Sequence, residues 1–241
     1  MMIMKKVLTI IGMVLTIILL IIIMIACQGG VVGNGNVETR DQKTDDFSRL
    51  VLTGNFDVYL NPSGRTGLKM EMDNNLFEVV RITEDGKTLR IETTRNILQA
   101  REKNLFINID DLEKLELNGA VRVNSESLIR TRDLTISSAG AARLDLELDS
   151  DLLKLNVSGA SEADIRGKAD EVRLHLSGAA DFDLMDLIAN KVEVDLSGAG
   201  SVRVYAKEEL DVSISGVGKV KYRGDPVIHK NISGLGSLQR D

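Results

Sequence analysis

Residues 172–184, VRLHLSGAADFDL, contain two short runs of alternating apolar and polar residues joined by Ser-Gly-Ala-Ala. Alternation with a period of two is typical of half-buried β-strands. A Gly among small residues is typical of a corner, because Gly tolerates positive φ and small neighbours allow close packing. The stretch therefore predicts a strand, a corner and a second strand in direct succession.

Versions of this corner recur through the second half of the chain at spacings of 18–21 residues. The predicted structural corner positions are Asn118, Ser137, Ser158, Ser177, Ser197, Ser215 and Ser233. A fixed period of this length marks a repeat architecture, and no stretch of ten or more residues shows the 3.6-residue period of a helix. We therefore predict an all-β fold, a parallel β-helix or β-solenoid, whose coils of 18–21 residues pair about 4.8 Å apart.

The repeat also predicts the extent of the folded domain. We expect a single β-solenoid head over residues 47–241, with regular repeats in 111–238. Residues 47–110 fit the pattern less regularly and are predicted to form early coils that also cap the solenoid, with a hairpin turn at Asp85-Gly86. No cap is visible after the last corner, and an open strand edge favours pairing between copies of the chain through the solenoid ends. The alternative is that Arg240 and Asp241 blunt this edge.

The N-terminus predicts export and anchoring. Lys5 and Lys6 precede an uncharged apolar run over residues 7–26, and Cys27 follows. Met24-Ile25-Ala26-Cys27 resembles a bacterial lipobox, which implies that residues 1–26 are a lipoprotein signal peptide and that Cys27 is lipidated. The alternative is an uncleaved membrane helix, since about 20 apolar residues can span a bilayer. Residues 27–46 are Gly-rich and then charged, which predicts a lipid-anchored flexible tether.

Three features together resemble a known family: GNFDVYL at 54–60, NNLFEVVRITEDGKTLRIET at 74–93, and the serial corners behind a lipoprotein-like leader. They resemble the bacterial auto-transporter adhesins with a head GIN domain, a family first defined as a domain of unknown function, over residues 47–238. The resemblance implies a right-handed parallel β-helix, pectin-lyase-like in shape, at the bacterial cell envelope. It also implies a role in adhesion, and it provides no established catalytic residues.

Potential catalytic groups are few. The chain has two histidines, His175 and His229, and both are predicted to lie on outward-facing positions of the coils. A catalytic Ser requires a positioned base, and the corner serines occupy a repeated structural column. We therefore predict no catalytic residues.

Four acidic residues are the candidate ligand site. Glu162, Asp164, Asp181 and Asp183 are predicted to face outward on two adjacent coils. Neighbours in this group are expected about 6.6 Å apart along a strand and about 4.8 Å apart between coils. Carboxylate oxygens are the ligands that Ca²⁺ prefers, so this acidic group is a possible Ca²⁺ site. The alternative is a solvated acidic patch neutralised by Arg143 and Arg203 on the flanking coils.

These observations favour a non-enzymatic, lipid-anchored envelope protein that binds a protein or glycan. The net charge of −6 argues against nucleic acid as a partner. One alternative is a Ca²⁺-dependent enzyme of the polysaccharide lyase type, and another is an envelope regulatory or assembly protein. The location that we predict is the outer membrane, with the leaflet left open.

Overall fold

The computed structural model describes residues 29–241. The predicted signal peptide and the lipidation site at Cys27 lie outside the described residues. Within these residues, no helix has the length and the apolar character needed to cross a membrane.

The N-terminal part of the described chain mixes parallel and antiparallel strands with one 3₁₀ turn at Asn74–Leu76. Its strands are β1 (Val31–Val32), β2 (Val37–Gln42), β3 (Arg49–Pro62), β4 (Gly67–Asp73), β5 (Val80–Asp85), β6 (Thr88–Thr93), β7 (Ile97–Gln99) and β8 (Lys103–Ile109). β5 and β6 form the predicted hairpin, with Asp85 paired to Thr88 across Gly86 and Lys87. β3 is the first long parallel strand. It pairs in register with Lys114–Ser125, the strand that follows β8.

The rest of the chain is a parallel β-solenoid. Its strands are β9 (Lys114–Ser125), β10 (Ile129–Ser138), β11 (Ala141–Val157), β12 (Ala160–Leu176), β13 (Ala179–Leu196), β14 (Ala199–Ile214), β15 (Val217–Arg223), β16 (Val227–Ile232) and β17 (Leu235–Arg240). Every pairing from β9 to β17 is parallel. The fold class predicted from the repeat is confirmed as a β-solenoid of about seven turns.

Each long strand contains two half-buried runs. In β12, Ser161, Ala163 and Ile165 are buried, and the alternation changes phase before Val172 and Leu174. The change of phase lets one strand turn while its apolar side chains keep pointing inward. Equivalent positions of successive coils then stack, so that the core consists of aliphatic columns such as Leu155, Leu174, Val194 and Val212.

The predicted flexible tether over 27–46 requires correction for most of its length. β1 pairs in parallel with β7, and β2 pairs antiparallel with β4 along all six of its residues. The sequence of β2, VETRDQ, has no apolar alternation because this strand lies at the edge of the sheet and its side chains are mostly exposed. Backbone pairing with a strand 30 residues later, rather than burial of its own side chains, holds the segment in place.

Candidate functional site

A column of glycines runs through the corners. The column contains Gly54, Gly119, Gly140, Gly159, Gly178, Gly198, Gly216 and Gly234. A Cβ added at Gly178 would lie 2.8 Å from the carbonyl carbon of Gly159 and closer still to its oxygen, and the other members from Gly119 onward show the same conflict. Positive φ occurs in this column only at Gly54 and Gly119. From Gly140 onward, the column requires Gly because the backbones of adjacent coils approach closely. The positive φ that the sequence also suggested is not the reason at these positions.

The prediction that Ser137 belongs to the corner column is wrong. Ser137 pairs with Asn156, and Ser138 pairs with Val157, so Ala139 is the residue that stacks beneath Ser158. The coil at this point is shifted by two residues from the predicted alignment, because Gly140 must stay in the glycine column. The corner column is therefore Asn118, Ala139, Ser158, Ser177, Ser197, Ser215 and Ser233.

Corner serines bond to the backbone of the preceding coil. The hydroxyl of Ser177 donates to the carbonyl of Val157 at 3.1 Å, and that of Ser158 donates to the carbonyl of Ser138 at 3.2 Å. Among residues 29–241, no hydrogen bond joins a histidine to a serine hydroxyl. The corner serines thus act on the backbone of their neighbours, which is a structural role.

The four predicted acids lie side by side on adjacent strands. Glu162 pairs in register with Asp181, and Asp164 pairs with Asp183. Asp145 on the preceding coil pairs with Asp164 and extends the row. The sequence did not reveal Asp145 as a member, because the two-residue shift at Ser137 displaced its coil in the alignment.

Arginines engage this acidic group from both sides. Arg143 pairs with Glu162, and Arg203 lies 2.5 Å from Asp183. Arg166 pairs with Asp145, which raises the pKa of the Arg166 guanidinium. These ion pairs leave Asp164 and Asp181 as the acids that have no arginine of their own within the described chain. The arrangement matches the predicted alternative of a neutralised acidic patch, and Ca²⁺ binding stays a prediction.

A groove with an alanine floor runs directly beside the corners. We call it the alanine groove. Its floor is the exposed column Ala120, Ala141, Ala160, Ala179 and Ala199, which are paired in register from coil to coil. The groove has a volume of about 700 Å³. Two further coils continue the column with larger exposed residues, Val217 and Leu235.

Charged side chains of both signs form one rim of the alanine groove. Asp57 lies 2.6 Å from both Lys103 and Arg122. Arg143, Glu162 and Asp181 continue the rim across the next coils. The groove therefore presents an apolar floor beside a row of fixed charges. The groove is not evident from the sequence, because the alanines resemble turn residues and only the stacked register shows that they form a continuous surface.

Several solved structures of bacterial proteins align with most of this chain. An adhesin from Bacteroides fragilis, described as putative, aligns with a TM-score of 0.82 and 24% identity, over 88% of this chain and 100% of that chain. A putative lipid-binding protein from Parabacteroides distasonis aligns with a TM-score of 0.71 and 24% identity, over 88% and 100%. A putative adhesin from Parabacteroides merdae aligns with a TM-score of 0.67 and 18% identity, over 88% and 99%. At these identities the likeness shows a shared fold.

Sequence comparison shows the family. No protein of curated function is detectably similar in sequence to the chain. The family described as "putative auto-transporter adhesin, head GIN domain" matches residues 46–226, which is most of the chain and includes the whole alanine groove. An adhesin family indicates a protein of the cell envelope or cell surface. The chain belongs to the auto-transporter adhesin family with the head GIN domain.

Proposed function

We propose that the chain is the non-enzymatic binding head of a lipid-anchored envelope protein and that it holds an extended protein or glycan ligand along the alanine groove. The observation that carries the proposal is the groove itself, an apolar floor five coils long beside a charged rim. A polymer with apolar and polar sides can cover the floor and bond to the rim at the same time.

The floor and the rim have complementary roles. Alanine side chains are short, so a ligand can approach the strands closely and cover apolar surface with little side-chain entropy lost. Most of the rim charges are already paired, since Asp57 contacts Lys103 and Arg122, and Arg143 contacts Glu162. These side chains are therefore ordered before binding. Pre-ordered groups favour affinity because less freedom is lost when the ligand binds.

The non-enzymatic part of the proposal is supported by the histidines and serines. Neither His175 nor His229 bonds to a serine hydroxyl within residues 29–241, and the corner serines bond to carbonyl oxygens instead. The family description also names adhesion. A polysaccharide lyase remains the alternative against which the proposal is tested.

Lipid anchoring is supported by the sequence of the leader. Lys5 and Lys6, the apolar run and Cys27 have the order of a lipoprotein signal. We propose cleavage before Cys27, lipid on Cys27 and attachment to the outer membrane. Metabolic labelling with a radioactive or clickable fatty acid should label the wild-type chain, and Cys27→Ser should abolish the label and retain the leader. Labelling that survives Cys27→Ser would overturn the anchor.

The binding function is tested with beads coated with the protein. We expect beads to be retained on a glycan array or on whole bacterial cells, with retention abolished by soluble protein as competitor. Incubation with acidic polysaccharides in the presence of Ca²⁺ should release no unsaturated products. Release of such products would establish the lyase alternative, and capture of envelope assembly proteins from membranes without retention on either surface would favour a regulatory role.

A further inference from the structure

His229 lies among two carboxylates near the C-terminal end of the solenoid. It pairs in register with Asp211 on the preceding coil, and Glu209 lies two residues before Asp211 on the same outward face of β14. One ligand atom from each of the three side chains lies within 4.8 Å of the other two. Among the residues that the structure describes, this is the one group of three or more His, Cys, Asp or Glu side chains that converges so closely.

The geometry is close to that of a metal site. Ligand atoms that bind Zn²⁺ tetrahedrally at about 2.0–2.1 Å are about 3.4 Å apart. The three side chains can reach this spacing by small rotations, since His229 is exposed and Glu209 is only partly buried. The strands below them need not move, because the register already places Asp211 opposite His229.

The donor set selects the class of metal. Ca²⁺ and Mg²⁺ prefer oxygen ligands alone, whereas imidazole nitrogen suits zinc and its first-row neighbours. One nitrogen and two carboxylate oxygens therefore favour a divalent transition ion. Three protein ligands leave at least one coordination position open. Two of the three side chains, Asp211 and His229, also help to line a shallow depression of about 340 Å³.

Lys191 competes with a metal ion for one of the ligands. Its ammonium lies 3.1 Å from the Glu209 carboxylate, and this bond raises the pKa of the Lys191 ammonium. Metal binding would replace this exposed ion pair, which is worth little in water. Glu193, opposite Asp211 on the other side, is a further carboxylate near the site, and Arg173 lies 3.8 Å from it.

We propose that Glu209, Asp211 and His229 form a surface site for a divalent transition metal ion of the zinc class. The site shares no residue with the alanine groove, so it is independent of the proposed binding function.

The two histidines of the chain provide the test and its control. Zn²⁺ is titrated into the full chain in detergent, followed by calorimetry and by long-range ¹H–¹⁵N spectra of the imidazoles. We expect one equivalent to bind, with the His229 resonances shifting and those of His175 unchanged. His175 lies between Asn156 and Asp195 on the neighbouring strands, so it has one carboxylate beside it where the proposed site has two. It is therefore the control histidine.

Variants assign the ligands. His229→Ala and Asp211→Asn should weaken Zn²⁺ binding at least tenfold, His175→Ala should bind as the wild type does, and Lys191→Met should bind more tightly because Glu209 is released. Circular dichroism checks that each surface variant is folded. A loss of less than tenfold in His229→Ala, or equal shifts of both histidines, would overturn the site.

Discussion

Asp73 joins separate segments of the N-terminal part through a single buried carboxylate. It is fully buried, and no other charged side chain in the described part of the chain is buried. Its Oδ2 accepts hydrogen bonds from the backbone N–H groups of Gly35 and Arg101 at 2.9 and 3.2 Å, and its Oδ1 accepts one from Glu102 at 3.2 Å. Three segments distant in sequence are thus held by one side chain.

Replacing Asp73 tests this role and its pH dependence. Burial raises the pKa of the Asp73 carboxyl, but the three backbone hydrogen bonds outweigh it and the pKa lies below the ordinary 3.8. The carboxylate therefore stabilises the fold above about pH 4, and this stabilisation is lost as the pH falls through the lowered pKa. We expect Asp73→Asn to lower the free energy of unfolding at pH 7 by about 1–3 kcal/mol.

Denaturant unfolding at several pH values measures the effect. The gap between wild type and Asp73→Asn should shrink below pH 4, and Asp85→Asn, at an exposed hairpin position, should leave stability unchanged. A gap that stays constant down to pH 2 would show that the charge of Asp73 has no part in the effect.

Asp181 tests how the acidic group is neutralised. It lies between Glu162 and Ser201 on the neighbouring strands and has no opposite charge directly across from it. Like charges facing each other on adjacent strands are destabilising. We expect Asp181→Asn to raise the unfolding free energy by up to about 1 kcal/mol, with no further change when Ca²⁺ is added.

Asp149→Asn is the matched substitution, because Asp149 faces the opposite charge of Lys168. This variant should be slightly less stable than the wild type. Heat released or absorbed when Ca²⁺ is added to the wild type, and absent in Asp181→Asn, would show that the acids bind calcium. It would also show that the arginines alone do not neutralise the acidic group.

At the scale of elements, the glycine column sets how closely successive coils can stack. The sequence revealed the solenoid because inward aliphatic residues alternate on both sides of every corner. It misplaced one coil because Ser137-Ser138-Ala139-Gly140 offers two serine starts, and serine is the less constrained residue of the corner. β1 and β2 were missed because edge strands with exposed side chains carry no apolar pattern.

Gly178→Ala measures that constraint. The added methyl group would overlap the backbone of Gly159, which cannot move without shifting a whole coil. We expect the unfolding free energy to fall by at least about 2 kcal/mol. Ser177→Ala, which removes only the bond to Val157, should cost about 0.5–1.5 kcal/mol.

Gly67→Ala provides the control in thermal or denaturant unfolding, because its added Cβ would lie 3.5 Å from the nearest atom, on the Asn108 side chain. Equal stability of the Gly178 and Gly67 variants would contradict close coil stacking as the reason for the glycines.

At the scale of the whole molecule, stacking converts a local repeat into a long surface. Four successive coils each contribute one alanine and one charged rim residue, so the length of the alanine groove follows from how many coils repeat this pair. The sequence contained every one of these alanines, but their alignment depends on the register that the backbone contacts fix. Function is therefore more difficult to predict than fold here, because the site belongs to no single motif.

Ligand binding in the alanine groove is tested by measuring bead retention after the groove has been filled. Ala160→Gln places a long side chain in the middle of the floor, whereas Ala139→Gln makes the same change at an exposed corner outside the groove. We predict that Ala160→Gln lowers retention on the glycan array or on cells at least tenfold and that Ala139→Gln retains wild-type binding. Equal retention by the two folded variants would contradict the claim.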